Sequence, residues 1–245
     1  MEIKTDWVKV QSGDTEIDAY LAIPSGEGKF PGVVVIQEIF GVNEHIRDVT
    51  NRLAKEGYMA IAPAIYHRFA PGFEVGYTAE DLKIGKEYKA MTKAAELLSD
   101  VEGAIAYLKT LPQFKQNKVG SIGFCFGGHV TYLAATLPAI QATASFYGAG
   151  IATMTPGGGE PTITRTKDIT GKIYTFFGNE DASIPKEQVD QIEAELEKHD
   201  IPHQVFRYEN ADHGFFCDRR SSYNETAAAD AWQQVLDLFN RELKS

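Results

Sequence analysis

The chain has 245 residues, is 43% hydrophobic and 24% charged, and carries 24 basic against 34 acidic side chains for a formal charge of −10. This length and composition suit one α/β domain over residues 1–245, with a core large enough to hold a precise site. Its acidic balance, with no run of Lys and Arg, excludes a nucleic-acid partner, and no stretch reaches the roughly 18 apolar residues of a membrane span.

The first residues, Met1 to Asp6, have no apolar core and no small-residue cleavage site, so no secretory signal is expected there. Cys125 and Cys217 are the only cysteines. Two cysteines in a chain of this size do not build a disulfide framework, and a reducing cytoplasm is the expected location.

Trp7–Val10 and Ile17–Ile23 predict two strands around Gly13-Asp14, an antiparallel start. Gly32–Ile36 is a continuous apolar run, as in a parallel strand buried on both faces. A helix over His45–Glu56 and a strand over Tyr58–Ala62 follow. Val101, Ala104, Ile105 and Leu108 share one helical face by their spacing. The strand Lys118–Phe124 leads into a helix whose Val130, Leu133, Ala134 and Leu137 lie together. Ala142–Tyr147 and Ile173–Phe177 predict strands, Val189, Ile192 and Leu196 a helix, Val205–Tyr208 a last strand, and Ala231 to Phe239 a closing helix. Such alternation predicts a mostly parallel sheet with helices on both faces, whose site lies beyond the carboxyl ends of the strands. Tyr66–Tyr88 and Ala149–Gly171 break the rhythm. They are expected to be long loops, either substrate walls or lids, or plain surface.

The strongest chemical signal is Gly123-Phe-Cys125-Phe-Gly127-Gly128 between a strand and a helix. This is the nucleophile-elbow pattern G-x-S-x-G with cysteine in place of serine. The turn is so tight that side chains at the two flanking glycines would collide with neighbouring backbone. A buried structural cysteine beside packing glycines is the alternative. His213 lies after the last strand, in Asn210-Ala-Asp-His-Gly-Phe215, where the chain order nucleophile, acid, histidine puts a base. His129, one helical turn beyond Cys125, competes with it, whereas His45, His67, His199 and His203 read as solvated. Asp181, in Gly178-Asn-Glu-Asp-Ala-Ser-Ile-Pro185, follows a strand and precedes a proline-opened helix, as an acid orienting a histidine should. Glu180 is its rival. At Gln37-Glu38-Ile39-Phe40-Gly41 a buried strand ends, and a backbone N–H there, with that of Phe126, can form an oxyanion hole. Glu38, directly after an apolar run, is expected at the mouth of the site.

These four segments together resemble the dienelactone hydrolase family, carboxymethylenebutenolidases of the α/β-hydrolase fold, in order along nearly the whole chain. The resemblance implies Cys125 as nucleophile, His213 as base and Asp181 as its orienting acid. It also implies Glu38 as the residue that helps ionise the thiol when substrate arrives, and Ile39 and Phe126 as the oxyanion donors. Arg68, in Tyr66-His-Arg68, matches a position where an arginine holds the substrate carboxylate. Members acting on dienelactone carry a second arginine four residues after the histidine. Here that residue is Cys217, and the arginines come later, as Arg219 and Arg220.

Cysteine chemistry narrows the substrate independently. A thiol of pKa about 8.5 leaves a tetrahedral intermediate more readily than an ordinary alkoxide. Enolate or phenolate leaving groups compete better, which favours activated small-molecule esters and enol-lactones, anionic ones where an arginine takes a carboxylate. No cofactor is implied, and no metal motif such as H-E-x-x-H occurs. A low-turnover ligand-binding relative and a ThiJ/PfpI-type cysteine-elbow enzyme are the competing readings. The latter places a histidine directly after the cysteine, where this chain has Phe126.

Overall fold

The computed structural model describes residues 1–245, apart from the side chains of Gln116 and Asn117. The chain opens with an antiparallel hairpin, β1 (Ile3–Ser12) and β2 (Thr15–Pro24), and then alternates. In order come β3 (Phe30–Ile36), α1 (Glu44–Lys55), β4 (Met59–Pro63), α2 (Ala79–Met91), α3 (Ala94–Thr110), β5 (Phe114–Phe124) and α4 (Phe126–Ala134). The chain closes with β6 (Ile140–Phe146), β7 (Lys172–Gly178), α5 (Lys186–Lys198), β8 (His203–Tyr208) and α6 (Glu225–Phe239). One eight-stranded sheet results, in the order β1-β2-β4-β3-β5-β6-β7-β8. It is parallel from β4 to β8 and antiparallel at the β1 edge. This is the α/β-hydrolase arrangement.

The apolar runs behave as a two-sided core requires. Along β3, Val33 and Val35 face the cluster that holds Ile46, Val49 and Leu53 of α1 and Val235 of α6. Val34 and Ile36 face the opposite cluster, with Val101, Ala104 and Leu108 of α3. Period-two side chains on one strand thereby join helices on both faces.

Two expectations need correction. The segment Tyr66–Tyr88 is not simply a loop, because α2 begins inside it. Thr78 caps this helix, its side chain accepting from Asp81 N–H while the Asp81 carboxylate accepts from Thr78 N–H, a reciprocal capping box. The helix buries only Gly85, so it offers little apolar periodicity to the sequence. Gly85 packs so tightly on β3's exit that a Cβ there would lie 2.5 Å from Ile39 O. The segment Ala149–Gly171 contains a short 3₁₀ turn, Thr162–Asp168. It is pinned rather than free: His129 contacts Ala149 O at 3.0 Å and Thr162 Oγ1 at 2.7 Å, and Tyr132 Oη contacts Thr166 Oγ1 at 2.6 Å.

Candidate active site

The site begins with a strained turn. Between β5 and α4, Cys125 takes φ 57° and ψ −120°, a conformation that L-residues seldom adopt. The flanking glycines permit it. A Cβ on Gly123 would sit 2.1 Å from Gly127 O, and one on Gly127 would sit 2.3 Å from the carbonyls of Ile36 and Gln37. The turn therefore projects Cys125 beyond the carboxyl end of the sheet, ahead of the first turn of α4.

His213 and Asp181 meet in the loops after β8 and β7. Asp181 Oδ2 lies 2.6 Å from His213 Nδ1, and Oδ1 accepts from Ser183 N–H at 2.8 Å. Asp181 is buried, whereas Glu180 is exposed, so the pairing selects Asp181. Burial alone would drive the His213 imidazole toward neutrality. The charge on Cys125, the hydrogen bond to Asp181 and the contact with Cys125 outweigh it and push the pKa up to about 10. The Tyr147 ring stands edge-on to His213, with centroids 5.2 Å apart. Tyr147 itself has a positive φ of 36° and is fully buried, a supporting wall that no sequence motif announced.

A cavity of about 720 Å³ opens over these groups, with Ile39, Cys125, Ala149 and His213 in its wall. The N–H groups of Ile39 and Phe126 donate to no acceptor among the described residues. Four cationic side chains, Lys86, Lys89, Arg219 and Arg220, line the cavity against one acid, Asp212. Lys86 and Lys89 ride on α2 and were missed because the helix was; Thr78 and Asp81, three residues apart, were the legible signal.

Three expected residues sit differently. Arg68 does not line this cavity. Its Nη1 lies 2.6 Å from Asp100 Oδ1 and its Nη2 lies 2.7 Å from Ser12 Oγ, so it neutralises a buried carboxylate. Burial pushes Asp100 up to about 6, with Ser12 and Arg68 opposing that rise. Glu38 is not at the mouth but beneath it, fully buried, with Oε1 accepting from Arg220 Nη1 at 3.0 Å. Burial opposes the charge on Arg220, but Glu38 beside it holds the guanidinium protonated above its ordinary range. Arg219 reaches the cavity yet pairs with Glu44 at 2.6 Å. Two histidines also depart from expectation. His129 is a buried structural residue, lowered to about 4 by burial, and His45 is buried rather than solvated.

The pattern of the dienelactone hydrolase family matches residues 17–243. The chain belongs to this family. A Synechocystis sp. protein named "Putative carboxymethylenebutenolidase" is 58% identical over 244 residues, covering 100% of this chain and 99% of that one. A Bradyrhizobium sp. protein named "Probable 2-oxo-3-(5-oxofuran-2-ylidene)propanoate lactonase" is 30% identical, over 96% of this chain and 93% of its own. Among solved structures, the "Putative Dienelactone Hydrolase" of Klebsiella pneumoniae superposes with a TM-score of 0.88 at 31% identity, covering 98% of this chain and 100% of that one. The chain is thus a dienelactone hydrolase-like enzyme, a hydrolase of carboxylic esters or lactones. Among the described residues no helix is long and apolar enough to cross a membrane.

Proposed function

We propose that this family member hydrolyses small activated esters or enol-lactones through a thioester on Cys125. The observation that carries the reading is the strained elbow of Cys125 in the wall of the cavity, beside a His213 already held by Asp181. The Cys125 thiolate attacks the acyl carbon, and the carbonyl oxygen gathers charge against the unpaired N–H groups of Ile39 and Phe126. Collapse breaks the carbon–oxygen bond, forms the thioester and passes the His213 proton to the leaving oxygen. In a lactone that leaving enolate stays tethered to the acyl group.

The second half follows from the cause of the histidine's raised pKa. Among the influences that raise it, the charge on Cys125 is the largest. Acylation removes that charge, so the imidazole loses its strongest reason to stay protonated. It can then take a proton from water, which attacks the thioester and releases the acid and the Cys125 thiolate, restoring the starting thiolate and imidazolium.

Lys86 and Lys89 in the cavity wall, beside Arg219 and Arg220 that are each shared with an acid outside it, suit an anionic substrate, although the chain as a whole carries −10. Global charge is screened beyond about 8 Å at physiological salt, while cations in the wall act at contact. A substrate carboxylate in the cavity draws on Arg220, the cation that Glu38 now holds. The test is a turnover screen with matched aryl ester, enol-lactone, alkyl ester and amide on wild type and Cys125→Ala. Turnover of the first two by wild type alone supports the reading; comparable turnover by the variant refutes it.

A further inference from the structure

Beneath the cavity floor lies a second cluster that the hydrolytic scheme leaves incompletely used. Glu38, His45 and Cys217 each offer a donor atom, and these atoms lie within 4.8 Å of one another. All three residues are buried, His45 at 3% exposure and the other two at 0%. Glu38 Oε2 and His45 Nε2 are buried with no hydrogen-bond partner. Unpaired polar atoms in such surroundings cost free energy and call for an explanation. The Cys217 thiol donates to Tyr77 Oη at 3.3 Å and has the backbone N–H of Arg219 beside it.

We infer that Glu38, His45 and Cys217 form a binding site for a thiophilic divalent cation of the zinc class. A carboxylate, an imidazole and a thiolate are the donors that zinc takes, and three of them leave its fourth tetrahedral position open. Metal–donor bonds of about 2.0–2.3 Å place tetrahedral donors roughly 3.5 Å apart, so side-chain rotations of about an ångström complete the site. Burial keeps His45 below its ordinary pKa and hence neutral, the form that binds metal. Burial and Glu38 push the Cys217 thiol up to about 11. Binding therefore forms a metal–sulfur bond as the S–H bond breaks, and the proton leaves to solvent.

Of the three donors, His45 borders a separate cavity of about 350 Å³ whose wall includes the acids Asp48, Asp218 and Glu225. Its one arginine, Arg52, is held over the Trp232 ring with its guanidinium carbon 4.1 Å from the centroid. This cavity is thus biased toward cations. A bound ion would share the Glu38 carboxylate that now serves Arg220.

Cobalt(II) tests the site in full-length Cys125→Ala, where Cys217 is the sole thiol and the hydrolytic nucleophile is gone. The expected result is a thiolate-to-cobalt band in the near ultraviolet with intensified visible bands of a tetrahedral ion, both abolished by added zinc. Adding His45→Gln or Cys217→Ser to this protein should remove them. Circular dichroism identifies any variant that fails to fold, and the other variant then carries the comparison. Absence of the band in Cys125→Ala at saturating cobalt overturns the inference, as does a band that survives His45→Gln unchanged. The readout needs no turnover, so its failure is separate from failure of the thioester scheme.

Discussion

Arg220 reaches from the loop after His213 to Glu38, its Nη1 3.0 Å from Oε1 of a carboxylate with no solvent exposure. The guanidinium both lines the cavity and neutralises a buried charge below it. Removing one partner of a buried pair leaves the other uncompensated, at roughly 3–5 kcal/mol. Arg220→Met should lower stability by that order, and Glu38→Gln should cost less because the guanidinium it strands is partly exposed at the cavity, whereas the carboxylate is not. The double variant should recover most of the Arg220→Met loss, as urea unfolding would show. Additive losses would mean that the pair does not couple.

Arg68 leads to the opposite expectation from a substrate clamp. Its partners are the buried Asp100 and Ser12, so Arg68→Met should destabilise the fold by a few kcal/mol. It should change kcat/KM equally for matched esters with and without a free carboxylate. A loss confined to the anionic ester would return Arg68 to the substrate site.

His213 sets a pH dependence. Its folded pKa is raised, to about 10, above the ordinary 6.5, with burial opposed by Cys125 and Asp181. The stability this contributes is fully present below about 6.5, where both folded and unfolded chains hold the proton. It is lost as pH rises through about 10, where the folded state releases it. Asp181→Asn removes part of the cause. The stability gap between wild type and this variant should be widest below pH 6.5 and narrow toward pH 10. A gap constant from pH 6 to pH 10 would contradict the assignment.

Gly85 couples a helix to Ile39, whose N–H we propose as an oxyanion donor. Its missing Cβ lets α2 rest on Ile39 O, which would lie only 2.5 Å from an added Cβ. Gly85→Ala must push α2 or the Ile39 peptide away. The expected outcome is a fall in kcat of tenfold or more, the scale of a displaced oxyanion-hole donor, with only a modest loss of thermal stability. An unchanged kcat would separate α2 from the donor.

The fold and the core of the candidate site were legible because their signals are local. Val33 to Ile36 are consecutive, the glycines around Cys125 are forced by one turn, and Asp181 and His213 each follow a strand. What was not legible depends on distant partners. Arg68 reads as a free cation until the fold brings Asp100 and Ser12 to it. Glu38 reads as a residue at the mouth because nothing in its neighbourhood shows that Arg220 closes over it. His45 lies on a helix with polar neighbours, yet it faces Phe124 and Phe216 across the interior. Helix α2 escaped because Gly85 is its only buried residue and Tyr88 its one apolar side chain packed against the core, too little to make an apolar stripe.

The most direct measurement of the thioester scheme is acid-quenched intact-mass and peptide analysis after mixing the enzyme with an excess of an activated aryl ester. His213→Ala should be run beside wild type, because loss of the base should slow the attack of water on the acyl-enzyme. The scheme predicts an added acyl mass on the peptide containing Cys125, labile to hydroxylamine, absent from Cys125→Ala and never on Cys217. Turnover with no acyl adduct on Cys125 in either protein, or an adduct that persists in Cys125→Ala, would contradict it.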